Sequence, residues 1–205
     1  MPITDVKHGI ISRRTEGSFR YHAWGSIAKL KDGTIAAACS AGRNWHICPF
    51  GKTFLYLSKD EGETWSCPII VNDTWMDDRD VGLCALPNGG LLLTWFTTGF
   101  ELLEERDNTI KKMMAEGEYE LMKAYQKTCI VNPEIERGRY SRVSYDGGLT
   151  WSEEFAVAPE SPDWDHGYPS TVELSDGSLL TVFYQKTPGD TYNSLLSTRW
   201  TLPNK

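Results

Sequence analysis

The chain is short of several features that mark large classes of protein. Cations are outnumbered: 21 Lys and Arg stand against 28 Asp and Glu, a formal net charge of −7. A nucleic-acid binder needs a basic face to neutralise phosphates, so nucleic acid is not an expected partner. No apolar run reaches the roughly 18–20 residues that cross a bilayer as a helix, and no membrane partner is expected. The opening Met1-Pro2-Ile3-Thr4-Asp5 has neither the basic nor the apolar segment of a secretory signal, so a cytoplasmic chain is expected. The cysteines (Cys39, Cys48, Cys67, Cys84 and Cys129) are odd in number and form no C-x-x-C pair. Reduced core thiols are expected in place of a disulfide framework. His8, His22, His46 and His166 lack the close spacing of a zinc site. Neither a metal nor another cofactor is expected.

What is present points to strands. Of 205 residues 40% are hydrophobic, enough for one sizeable core. Eight tryptophans and 18 glycines suit short strands and tight turns better than a helix bundle. One pattern recurs three times: Leu30-Lys31-Asp32-Gly33-Thr34-Ile35, Leu86-Pro87-Asn88-Gly89-Gly90-Leu91 and Leu174-Ser175-Asp176-Gly177-Ser178-Leu179. Each reads as a strand, an Asp/Asn-Gly turn and a second strand. The second strands are continuously apolar, as in Leu91-Leu92-Leu93-Thr94-Trp95-Phe96, which suits a strand covered on both faces.

A second pattern, S-x-D-x-G-x-T-W, occurs at Ser58–Trp65 and again at Ser144–Trp151. Ser, Asp and Thr side chains can bond the turn backbone, Gly takes the strained φ, and Trp packs beneath. This octet resembles the Asp-box of the sialidase (neuraminidase) superfamily of BNR repeats, whose blades form a β-propeller. In that superfamily the box is a fold element remote from the active site. The resemblance implies an all-β chain of sialidase-type propeller blades, about three four-stranded antiparallel sheets in an incomplete ring. Unit one runs from about residue 21 to 75, unit two from about 76 to 160, and unit three begins near Asp165. All of 1–205 is expected to be one partial propeller domain. Within it, 101–127 is expected as a helical insertion, because Leu103, Ile110, Met114, Leu121 and Tyr125 follow a seven–four–seven–four spacing.

Aligning the hairpins on Leu30, Leu86 and Leu174 puts His22, Asp78 and His166 in one column and Trp24, Asp80 and Tyr168 in another. Two residues apart on a strand, the columns are expected to share a face. Ala23, Arg79 and Gly167 form the column between them. The superfamily uses a tyrosine nucleophile, because the carboxylate on the sialic acid anomeric carbon would repel an anionic one. Tyr168, shortly before a D-G turn in the last unit, resembles that tyrosine; the plain alternative is a Tyr packed over Pro169. The superfamily's Arg-Ile-Pro is Ala23-Trp24-Gly25 here, which leaves Arg43 and Arg79 as candidates to bind a substrate carboxylate.

The expected catalytic set is Tyr168, Asp80 and His46, with His46 in the acid/base role. The expected substrate-binding set is Arg43, Arg79, Asp78, His22 and His166. The resemblance implies an exo-α-sialidase-like hydrolase of acidic sugars. Two alternatives stay open: a polysaccharide lyase on the same architecture, and a non-catalytic or degenerate carbohydrate-binding fragment using Trp45. Three blades leave two apolar faces open, which a homodimer closing a six-blade ring would cover; a shortened relative is the competing expectation.

Overall fold

A computed structural model describes residues 6–48, 50–74, 76–98, 117–121, 123–124, 138–158 and 165–203. β1 (Tyr21–Lys29), β2 (Ile35–Arg43), β3 (Lys52–Ser58) and β4 (Ile69–Asn72) pair in that order as one antiparallel sheet. β5 (Asp77–Ala85), β6 (Leu91–Thr98), β7 (Gly138–Ser144) and β8 (Phe155–Ala158) repeat it. β9 (Gly167–Glu173), β10 (Leu179–Lys186) and β11 (Asn193–Trp200) form the third sheet, which has three strands among the described residues where four were expected. β5 lies against both β1 and β9, so the first strands of the three sheets sit side by side. The chain is all-β, an arc of propeller-type blades. The insertion expected over 101–127 lies outside the described residues except at 117–121 and 123–124, of which 118–121 and 123–124 are helical.

The three hairpins share one set of bonds. Leu30 N donates to Thr34 O at 2.8 Å, Leu86 N to Gly90 O at 2.8 Å, and Leu174 N to Ser178 O at 2.8 Å. In each turn the Asp or Asn accepts from the amide two residues on, at 2.9–3.0 Å. Gly33, Gly89 and Gly177 take φ of 91°, 89° and 79°, a region that costs a Cβ-bearing residue free energy.

The octets are equally alike. Asp60 Oδ1 and Asp146 Oδ1 each accept from a Ser hydroxyl at 2.8 Å and from a Thr amide at 2.9 Å. Trp65 Nε1 and Trp151 Nε1 each donate to a glycine carbonyl at 3.1 Å. Because these bonds favour the charged form, both carboxyls are held below the usual range: Asp60 at about 2, chiefly through Thr64, and Asp146 lowered likewise through Thr150.

Burial follows position in the arc. Every residue of β6 is buried, as expected for a strand covered on both faces. β10 alternates buried with more exposed residues, because only one of its faces is covered. Ala28, Ala36, Ala38 and Leu55 of the first sheet pack on Val81, Leu91, Leu93 and Trp95 of the second. Small residues on one side leave room for the indole on the other. Leu92 and Val143, from the opposite face of the second sheet, meet Leu179 and Trp200 of the third. Cys39, Cys48, Cys67 and Cys84 are free thiols, but Cys67 is exposed and so departs from the expected core thiols; Cys129 lies outside the described residues.

The octet carboxylates generate a pH prediction. A carboxyl with a lowered folded pKa stabilises the fold above its unfolded value, near 3.8, and that contribution is lost as pH falls through the folded value. Thermal unfolding followed by circular dichroism should therefore show the midpoint dropping as pH falls from 3.8 through about 2. Asp60→Asn should lower the midpoint at neutral pH and flatten that acid slope. An unchanged slope would show that the octet carboxylate adds no net stability.

Candidate active site

Each innermost strand carries one extra residue at the same place. Ala23 and Ser26 pair with Ser40 and Ala38, so Trp24 and Gly25 together oppose Cys39. Asp80 and Val81 oppose Trp95 in the same way, and Tyr168 and Pro169 oppose Phe183. The first residue of each pair is left-handed, with φ of 54° at Trp24, 47° at Asp80 and 51° at Tyr168. Glycine normally takes this position in such a bulge. A side chain there costs roughly 1–3 kcal/mol of backbone strain, and the arc carries it three times. The result is convergence: Trp24, Asp80 and Tyr168 line one cavity of about 300 Å³. Gly82 also lines it, at a point where a Cβ would stand 2.6 Å from the Pro169 carbonyl oxygen and 2.7 Å from Thr94 Oγ1. Close approach of the second and third sheets depends on that glycine.

Asp80 is 3% exposed, and neither carboxylate oxygen has a hydrogen-bond partner among the described residues. Burial pushes its pKa up to about 6, against the pull of Arg79 and then Arg43. Tyr168 is 53% exposed and stacks on Tyr184 with ring centroids 5.7 Å apart, in place of the packing over Pro169 considered from sequence. Burial raises its phenol pKa, the Asp80 charge raises it further, and Arg79 opposes both. Tyr184 donates to Asp165 Oδ1 at 3.0 Å; burial first, and then that bond, keep its phenol protonated well above the ordinary value.

Two guanidiniums approach the Trp24 indole. Arg43 lies 4.9 Å and Arg79 4.7 Å from its ring centroid, each within cation–π range. Arg79 Nη2 stands 3.0 Å from His46 Nε2. A guanidinium only donates, so Nε2 accepts and the ring proton is assigned to Nδ1. His46 also meets the Trp24 edge at 4.9 Å. It therefore holds Arg79 and Trp24 through the nitrogen and ring that an acid/base role would need.

Arg43 is fully enclosed, ion-paired with Asp77 and donating from Nη1 to the His46 carbonyl at 3.0 Å. Burial, and after it Arg79, lowers its pKa to about 10. Asp77 Oδ2 also accepts from the Cys48 amide at 3.0 Å. This pair ties the loop after β2 to the start of β5. Arg43 consequently organises the wall of the site and does not reach its opening; Arg79, 8% exposed, stands behind the Trp24 lining and beside Asp80 in sequence.

The other sequence candidates do not gather at the cavity. Asp78 is buried and accepts from the amide and hydroxyl of Thr74 at 2.7 and 2.9 Å, with burial raising its pKa to about 7. His22 sits on the other side of its sheet, 3.0 Å from the Arg20 carbonyl oxygen, with its ring 6.4 Å from Phe54. His166 is buried with Nδ1 3.0 Å from Arg139 Nη1 and its ring against Phe96. The two columns do not share a face, because the left-handed residue turns its side chain off the strand's alternation. Trp45 packs 6.1 Å from Tyr21. Asp77 and Tyr184 were missed from sequence. Tyr184 was legible as the β10 neighbour two residues from Val182 on the same face; Asp77 carried no signal within its Asp-Asp-Arg-Asp run.

No protein-family model matches the chain, and no curated protein matches it. Solved structures share its fold. A protein of unknown function from Dyadobacter fermentans superposes with a TM-score of 0.58 at 22% identity, covering 92% of this chain and 54% of that one. The α-L-arabinanase of Penicillium chrysogenum, solved with arabinobiose, gives 0.58 at 17% identity over 88% and 46%. The NanB sialidase of Streptococcus pneumoniae gives 0.52 at 11% identity over 100% and 48%. The likeness is one of fold: the chain is built like propeller glycosidases and spans about half the length of these structures.

The enclosed pair sets a stability prediction. Asp77→Ala leaves Arg43 charged and buried, a loss of about 3–5 kcal/mol. Asp73→Ala, which breaks only the half-exposed pair with Lys52, should cost under about 1 kcal/mol. Urea unfolding of both variants checks the contrast, and equal losses would refute it.

Proposed function

We propose that the cavity is the active site of a sialidase-like glycoside hydrolase acting on acidic sugars. The observation that carries this reading is the pairing of an exposed phenol, Tyr168, with a buried, unbonded carboxylate, Asp80, in one cavity. An enclosed carboxylate without partners is unfavourable for folding, and such groups concentrate where a proton must be accepted. The octets support the same superfamily, since they resemble Asp-boxes in sequence and bond their turns as such a staple requires.

In this reading Tyr168 Oη attacks the anomeric carbon while Asp80 takes the phenol proton. The glycosidic C–O bond breaks, and the leaving oxygen receives that proton from Asp80. Water then attacks the glycosyl-tyrosine bond and gives its proton to Asp80, which passes it back to the released phenolate. Arg79 faces the sugar carboxylate, and His46 with Trp24 holds Arg79 in register. Arg43 acts behind them by fixing the loop. A neutral nucleophile suits a substrate whose own carboxylate would repel an anion.

Tyr168→Phe removes only the hydroxyl. Assayed on a sialoside, it should abolish turnover and leave binding intact; unchanged turnover would overturn the assignment. Asp80 must be ionised to accept the proton, so kcat/KM should rise with pH through about 6, and Asp80→Asn should lose that limb together with turnover. An ultraviolet-absorbing, unsaturated product would indicate elimination by a lyase, and binding without product a carbohydrate-binding module. Either outcome would replace the hydrolase reading.

A further inference from the structure

The sheets pack through two kinds of face, and the hairpin alignment shows that one contact is used twice. Ala28, Cys84 and Val172 are equivalent positions, as are Ala36, Leu92 and Leu180. In the first sheet Ala28 and Ala36 face the second sheet, and in the second Cys84 and Leu92 face the third. On the other side, Leu83 and Leu93 of the second sheet face the first. Their equivalents are Ile27 and Ala37 in the first sheet, and Thr171 and Thr181 in the third, which are buried.

Each kind of face is left without a neighbouring sheet once among the described residues. On the third sheet the outward positions are Val172, Leu180 and Val182, with Leu195 beside them; Val172 is 54% and Leu195 79% exposed. On the first sheet the outward positions are Ile27, 65% exposed, and Ala37 and Tyr56, which are buried beside the chain's own Gly9–Ser12 segment. The segment Gly9–Ser12 crosses that face without filling it, and a cavity of about 500 Å³ remains against Ile27, Ala37 and Tyr56. One face projects branched side chains and the other, built on small residues, is hollow. They are the two complementary halves of the contact the chain already makes internally.

We propose that a second copy of this chain covers them, the third sheet of each copy packing on the first sheet of the other. The contact continues the internal one, with the Gly9–Ser12 segment giving way where the third sheet of the second copy seats. Two three-sheet arcs related by a two-fold axis through the centre of the ring close into six blades, a permitted ring. Closure also completes the site. Trp24 of one copy comes beside Tyr168 of the other, as Asp80 stands beside Tyr168 within a copy, so both chains furnish its walls. The contact is independent of the proposed chemistry, and its test reads mass, so its failure would leave the hydrolase reading standing.

Light scattering on the eluting protein should give twice 23.2 kDa. A mass of one chain at every concentration, or an open series of larger species, overturns the proposal. Val182→Lys and Ile27→Glu each put a charge on one half of the contact, at positions 37% and 65% exposed where folding tolerates it. Each alone should yield a monomer with an unchanged circular dichroism spectrum. Both in one chain should restore the dimer, because every contact then sets a lysine against a glutamate. Dimeric single variants, or a double variant that stays monomeric, overturn the pairing.

Discussion

Trp95 is wholly enclosed between the first and second sheets, and the rest of the molecule depends on that enclosure. A four-stranded sheet with apolar side chains on both faces cannot hold its shape in water; it needs a neighbour on each side. The alanines of β2 exist for this reason, since only a small residue lets the indole approach a strand it must cover. Truncating Trp95 would remove both a large hydrophobic area and the wedge that sets the spacing between the sheets. The spacing in turn determines how near β1, β5 and β9 come to one another, and so whether their bulges share a cavity.

The electrostatics of the site follow from the same compaction. Four ionised groups, Arg43, Asp77, Arg79 and Asp80, lie where the first two sheets meet, and three of them find partners. Asp77 takes the Arg43 pair and a backbone amide, while Arg79 leans on Trp24 and His46. Among the described residues, Asp80 is left with long-range attraction only. An unsatisfied carboxylate beside two guanidiniums keeps enough pull to stay ionised near neutrality, yet has no hydrogen bond to give up before accepting a proton.

Much of the architecture was legible because it is locally encoded. The D-G hairpins and the octets close their bonds within two to four residues, so their sequence pattern is nearly their structure. Counting back from the hairpin leucines then located Trp24, Asp80 and Tyr168 in one column, and that column is the one that converges. The companion column of His22, Asp78 and His166 was misread because simple alternation ignores a bulge. A left-handed Trp, Asp or Tyr has no signature in sequence; glycine would have announced it. The Arg43–Asp77 pair was invisible for a different reason, since its partners are 34 positions apart and meet only when two sheets stack. The three-stranded third sheet likewise followed from no local pattern.

The three left-handed side chains place this chain under opposed selective demands. At Trp24, Asp80 and Tyr168 the backbone would be relieved by glycine, and at no other innermost-strand position would one change relax so much. Selection for durability alone would wear those positions toward glycine or asparagine, and the cavity would lose its lining while the sheets went on stacking. A lineage that kept the blades but no longer needed the site would show the loss here first, as smooth inner strands on an otherwise intact arc.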